Sequence, residues 1–168
     1  MKKQVLALLV AAGLFSPSLW AKVGFQAGYS SAAFENDSEG MVAFGVGLDG
    51  TFGEVHMVHG SIGAEAGGDL TGAYAELGYR YGVSEKLFIG PLVQSSTLAH
   101  NTYDNYTWKG TFYGADLLWQ FGEELGLLAK YTTGEYEHER SYTVLGRTYK
   151  HTSTQSADRL FVGLTRRF

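Results

Sequence analysis

The chain has 168 residues, among them 23 glycines, 11 tyrosines, 10 phenylalanines and three tryptophans, but only two prolines and no cysteine. That length makes one domain, and without cysteine no disulfide framework can hold it. Thirteen Lys and Arg against 17 Asp and Glu give a formal net charge of −4, which argues against nucleic acid as a partner because neutralising phosphates takes a basic surface.

The N-terminus reads as an export signal. Met1, Lys2 and Lys3 form a positive start, residues 5–15 an apolar run of 11, and residues 16–21 (Ser-Pro-Ser-Leu-Trp-Ala) a cleavage segment. A membrane helix needs about 20 apolar residues, so this run predicts a Sec signal peptide over 1–21, cut after Ala21, although Leu19 is bulkier than the small residue preferred there. The mature domain is then 22–168. Without Lys2 and Lys3 it has 11 basic and 17 acidic residues, a net charge of −6. Mean hydropathy is −0.10, as expected of a transmembrane barrel whose strands alternate apolar and polar residues and cancel in any window.

Beyond residue 21 the pattern has period 2. A first run sets Val23, Phe25, Ala27 and Tyr29 on one face and Gln26, Gly28 and Ser30 on the other, before a loop at 34–40. Val42, Phe44, Val46 and Leu48 then oppose Ala43, Gly45, Gly47 and Asp49, up to a turn near Gly53 and Glu54. A weaker third run carries Val58, Ile62 and Ala64 and stops at 67–69. The fourth places Ala73, Ala75, Leu77, Tyr79 and Tyr81 opposite Tyr74, Glu76, Gly78 and Arg80, and 83–86 turns the chain. In the fifth, Leu87, Ile89, Pro91 and Val93 share a face; Pro91 removes a ladder hydrogen bond, so a local bulge is expected there. The sixth sets Tyr113, Ala115, Leu117, Trp119 and Phe121 against Gly114, Asp116 and Gln120. After a turn at 122–124, Leu125, Leu127, Ala129 and Tyr131 oppose Gly126, Lys130 and Thr132, and the last run alternates Leu160, Val162 and Leu164 with Phe161 and Gly163 before ending on Phe168.

Eight strands over 147 mature residues leave room for loops, since a crossing strand takes about 9–11 residues. Phe52, Trp119, Phe121 and Phe168 fall at strand ends on one side, where a membrane barrel carries an aromatic girdle. A soluble sandwich or lipocalin-like barrel would bury its apolar face and leave these coincidences unexplained. The expected fold is all-β, an eight-stranded antiparallel up-and-down transmembrane barrel.

The runs 75–81 (Ala-Glu-Leu-Gly-Tyr-Arg-Tyr) and 113–117 (Tyr-Gly-Ala-Asp-Leu) and the ending 161–168 (Phe-Val-Gly-Leu-Thr-Arg-Arg-Phe) carry a likeness: the mature chain resembles the OmpA/OmpX-type small outer-membrane barrels. Arg166 departs from it, standing where such proteins often have an aromatic or apolar residue. The resemblance implies the bacterial outer membrane, contact with lipid and lipopolysaccharide, extracellular loops, and passage by periplasmic chaperones to the barrel-assembly machinery. Leu160, Val162, Leu164 and Phe168 would form the C-terminal insertion signal. No activity follows from it, because a fold is not a function.

Asp49, Glu76, Arg80, Asp116, Lys130 and Arg159 point inward, where charges must be paired or hydrated, so a structural salt-bridge network is expected. An ion-conducting pore is the rival reading, opposed by the narrowness of eight strands. His151 and Ser153, two apart, with Asp158 near, raise a lipid A-modifying hydrolase; the surrounding residues do not match the deacylase barrels that use such a pair, and odd positions of the last strand face inward. No catalytic set is therefore assigned. His56 and His59, three apart, lie on opposite faces, and His100, His138 and His151 lie in or near loops without a companion acid or cysteine ligand at diagnostic spacing, so neither metal nor cofactor is expected.

The hairpins are unequal. Spans of 22–52, 54–82, 86–121 and 124–168 give 31, 29, 36 and 45 residues, while crossing twice uses about 18–22. The fourth should project well beyond the membrane as a strand-like surface, with Tyr136, His138, Arg140, Tyr142 and Tyr149 as candidate contacts, joined by Tyr103, Tyr106 and Trp108 of the third loop. Exposed tyrosine and tryptophan suit recognition of a protein or glycan. The leading expectation is a structural and interaction protein of the cell surface, binding through its loops, whose barrel still folds after excision of residues 136–151.

Overall fold

The computed structural model describes residues 20–35, 37–52, 55–100, 107–144 and 147–168, with backbone alone at Trp20, 139–144 and 147–150. The predicted signal segment lies outside it up to residue 19. Eight strands follow in chain order: β1 (Trp20–Phe34), β2 (Asp37–Phe52), β3 (His56–Gly67), β4 (Leu70–Gly82), β5 (Leu87–His100), β6 (Thr107–Gln120), β7 (Leu125–Val144) and β8 (Arg147–Arg167). Each pairs antiparallel with the next, and β8 returns to β1, from Gly24↔Arg167 to Phe34↔Ala157. Beyond that ladder the Phe168 N–H donates to the Val23 carbonyl at 2.9 Å. The wall is therefore a closed barrel with no edge along its crossing length.

Alternation sorts the side chains. Phe25, Tyr29, Val42, Phe44, Val46, Leu48, Ile62, Ile89, Tyr113, Tyr131, Leu160, Val162 and Leu164 point outward and are exposed, an apolar belt that only a bilayer covers. Phe52, Tyr81, Trp119, Phe121 and Phe168 ring the belt at the end holding the short turns. Tyr29, Tyr113 and Tyr131 mark its other side. From Phe121 to Tyr113 the chain runs eight residues, about 20 Å at the usual rise and tilt of a membrane strand.

The glycines sit mainly on the inner face. Large lumen side chains lie across them: a Cβ on Gly63 would come within 2.4 Å of the Tyr74 ring, one on Gly78 within 2.1 Å of His59, and one on Gly110 within 2.7 Å of Phe112. A narrow barrel can admit rings only where the wall opposite is bare.

At Pro91 the expected bulge is replaced by a gap. Gly78↔Leu92 and Tyr81↔Ile89 keep one register on either side of it, so no residue is inserted. On the other edge the ladder runs unbroken through Pro91↔Ala115. A proline's φ is compatible with an extended strand and only its donor is missing, so pairing to β4 is lost locally while the strand continues straight.

Candidate functional site: a three-tiered lumen and a rooted hairpin

The interior is polar in three tiers. Nearest the long hairpin, Arg159 Nη2 donates to both oxygens of Glu65 at 2.6 and 2.5 Å, and its Nη1 donates to the Tyr136 hydroxyl at 2.9 Å. Tyr136 donates to Ser96 Oγ at 3.1 Å, and Ser30 donates to Glu65 at 3.0 Å. The guanidinium lies 5.6 Å from the centre of the Phe112 ring, adding a cation–π contact.

In the middle tier Lys130 donates to Glu76, and to Gln26 Oε1 at 2.9 Å. Gln26 Nε2 reaches the Tyr74 hydroxyl at 2.8 Å and Ser61 Oγ at 2.9 Å, while Ser61 donates to Glu76 at 2.6 Å. Toward the short turns, Arg80 donates through Nε and Nη2 to one oxygen of Asp116 at 2.8 and 2.6 Å, and His59 Nε2 stands 3.0 Å from the same oxygen. Asp49 joins this tier, 3.7 Å from Arg80 and 3.4 Å from Arg167. Buried charges held this way leave no uncompensated ion, which is the condition for tolerating them in a dry interior.

Apolar side chains fill the rest. Met41, Leu70, Leu98, Phe112 and Tyr136 close the lumen at the long-hairpin end, with Phe34 and Trp108 packed on them. Met57, Tyr74, Phe88, Leu118, Leu128 and Phe161 pack lower down. Two cavities of about 20 Å³ separate the tiers, each room for a water or two.

Asp49, Glu76, Arg80, Asp116, Lys130 and Arg159 thus all line the interior, joined by three groups that the sequence reading did not include in the network: Glu65, His59 and Arg167. Arg167 shares the odd-numbered face of β8 with Arg159 and Phe161, so alternation alone could have found it. Glu65 and His59 lie on β3, whose glycines blur the pattern.

The fourth hairpin is one continuous ladder from Leu125↔Arg166 to Val144↔Arg147. β6 accompanies β7 only as far as Trp108↔His138, and β1 leaves β8 at Ala157, so the distal part stands as a two-stranded ribbon. Two proposed surface contacts are corrected by this geometry. Tyr136 is 0% exposed and His138 is buried, its Nδ1 3.1 Å from the Thr107 carbonyl, because β6 and β8 still enclose the lumen at their height. Trp108 is half-buried, its ring 5.5 Å from that of His138. Arg140, Tyr142 and Tyr149 lie on the ribbon, described by backbone alone; Tyr103 and Tyr106 fall outside the described residues.

The hydrolase triplet is not assembled. His151 and Ser153 are exposed on the ribbon, whereas Asp158 occupies an outward position on the other face and takes the Tyr131 hydroxyl as its hydrogen-bond partner. His138 pairs directly with Ser153 and Arg140 with His151, so the two histidines are diagonal neighbours across the β7–β8 hairpin, but among the described residues no three metal-ligating side chains cluster. Arg166 is exposed, paired with Glu124 at 3.2 Å and laid 4.7 Å from the centre of the Phe168 ring. Its flat cation covers the terminal aromatic residue, which is how a charge fits at this end of the belt.

No protein-family model and no curated protein matches the chain. Solved structures do. The barrel is similar to Neisserial surface protein A (NspA), with a TM-score of 0.53 at 11% identity, and to Ail, the attachment invasion locus protein of Yersinia pestis, with 0.53 at 12%; in both cases 88% of this chain and 97% of the other are covered. Ail in complex with the heparin analogue sucrose octasulfate matches with a TM-score of 0.50. At such identities the likeness speaks for the fold alone. It agrees with the closed eight-strand ladder, the outward apolar belt and the filled interior: this chain has the fold of the small eight-stranded outer-membrane barrels of the OmpA/OmpX type.

Proposed function

We propose that the protein is exported by its N-terminal signal, inserted in the outer membrane, and used as a rigid stand that holds the β7–β8 ribbon outside the cell for contact with an external protein or glycan. The observation that supports this reading most is the unequal wall. β7 and β8 run for 20 and 21 residues, β3 and β4 for 12 and 13, and the base of the long pair is fastened to the lumen through Tyr136 and Arg159. A ribbon fixed at its root loses little further freedom on binding. The packed interior speaks against conduction as the main role, and the separation of Asp158 from His151 and Ser153 speaks against hydrolysis.

The test is adhesion by cells carrying the intact protein against cells in which residues 141–150 are replaced by Asn-Gly. That pair closes a two-residue turn between Arg140 and His151 and leaves Tyr136 in place. Binding to immobilised host-surface proteins or to heparin should fall at least tenfold with equal amounts of folded protein in the membrane. Equal adhesion by both strains would overturn the reading.

A further inference from the structure

On the outer wall, at the short-turn end, β3 finishes its lipid-facing row (Ile62, Gly60, Val58) on a polar ring, His56. Its neighbours form a compact aromatic group. The imidazole stacks on Phe52 at 5.2 Å and 9°, meets Tyr81 edge-on at 5.7 Å, and holds its Nδ1 2.5 Å from the Tyr79 hydroxyl oxygen. Pairing fixes the group, because Phe52↔His56 and His56↔Tyr81 are direct cross-strand partners. None of these residues takes part in the lumen network or the ribbon.

The chemistry of this group is specific. When the tyrosine O–H donates to Nδ1, the proton of a neutral imidazole resides on Nε2, which then offers an N–H to a partner outside the cluster. The site lies in the aromatic ring that marks the membrane–water boundary, level with Phe121 and Phe168, where lipid headgroups and their phosphates sit. Above it, Gly60 leaves the wall open: an added Cβ would find Leu77 Cδ1 only at 3.7 Å and nothing closer than 3.5 Å. A shallow apolar strip thus leads from His56 between Leu48 and Leu77, the course an acyl chain would take.

We propose that Phe52, His56, Tyr79 and Tyr81 bind the phosphodiester headgroup of one phospholipid in the leaflet at the short-turn end, with the His56 Nε2–H donating to a phosphate oxygen and the lipid chain lying along Gly60. This needs only that the barrel sits in a bilayer, so it stands or falls independently of the ribbon's role.

The experiment is native mass spectrometry of the full mature protein released from nanodiscs, made either of phosphatidylethanolamine with phosphatidylglycerol or with a galactosyl diacylglycerol that has no phosphate. The wild type is expected to retain one phospholipid and not the galactolipid. His56→Phe keeps the stacked ring and removes the donor; it should retain phospholipid at least fivefold less while showing an unchanged heat-modifiable band. A dipolar coupling between the His56 ¹⁵Nε2 and lipid ³¹P in solid-state NMR should appear in the wild type. Equal retention by His56→Phe, equal retention of the phosphate-free lipid, or absence of the coupling would each overturn the assignment.

Discussion

Each lumen side chain has a neighbour that makes its presence tolerable, and single substitutions expose the dependence. Lys130→Met leaves the Glu76 carboxylate buried without its cation, an error that costs about 3–5 kcal/mol. In urea titrations of the refolded protein the midpoint should drop accordingly, and Lys130→Met with Glu76→Gln should recover most of the loss; a double variant as weak as the single one would show the pair is not the cause. Glycines give a second contrast. A Cβ on Gly114 would lie 1.9 Å from the Tyr131 carbonyl oxygen, whereas Gly60 has room for one. Gly114→Ala is therefore expected to destabilise by more than 2 kcal/mol and Gly60→Ala by less than about 0.5, read from the same titration. Asp116 and Lys130 could be placed inward from the sequence because their strands alternate cleanly. Glu65 could not, since Gly60, Gly63 and Gly67 erase the contrast between faces along β3.

Elements add a constraint that no single strand carries. How far the lumen reaches along β7 depends on where β6 and β1 stop beside the hairpin, a non-local property, and for this reason Tyr136 and His138 read as surface residues in sequence while the structure buries them. Excision of residues 136–151, expected from sequence to be harmless, removes the hydroxyl that Arg159 holds and opens the apolar plug around Phe112. That deletion should abolish the heat-modifiable folded band on a gel, whereas Asn-Gly in place of residues 141–150 should preserve it. The opposite outcome would mean that the ribbon has no root in the lumen. Pro91 teaches the reverse lesson: its missing donor was legible, but its effect stays local because both flanks of β5 hold one register.

For the molecule as a whole, charge is divided by the wall. Among the described side chains, Asp49, Glu65, Glu76 and Asp116 face inward against Arg80, Lys130, Arg159 and Arg167, four of each sign, so the charges of the lumen cancel. An interior balanced and packed in this manner speaks against a steady path for ions. Purified protein in a planar bilayer under concentrated salt is expected to show no steady conductance steps, and regular steps would mean that the tiers come apart in the membrane. Closure has one more consequence. Because β8 lies beside β1, the wall is a ring and the place where the polypeptide starts is arbitrary to it. Joining Phe168 to Lys22 by a short linker and opening the chain within 83–86 should give a permutant that refolds into detergent micelles with the same heat-modifiable band. The same permutant, stripped of a terminal phenylalanine, should fail to reach the membrane in cells, separating the information that shapes the ring from the information that delivers it.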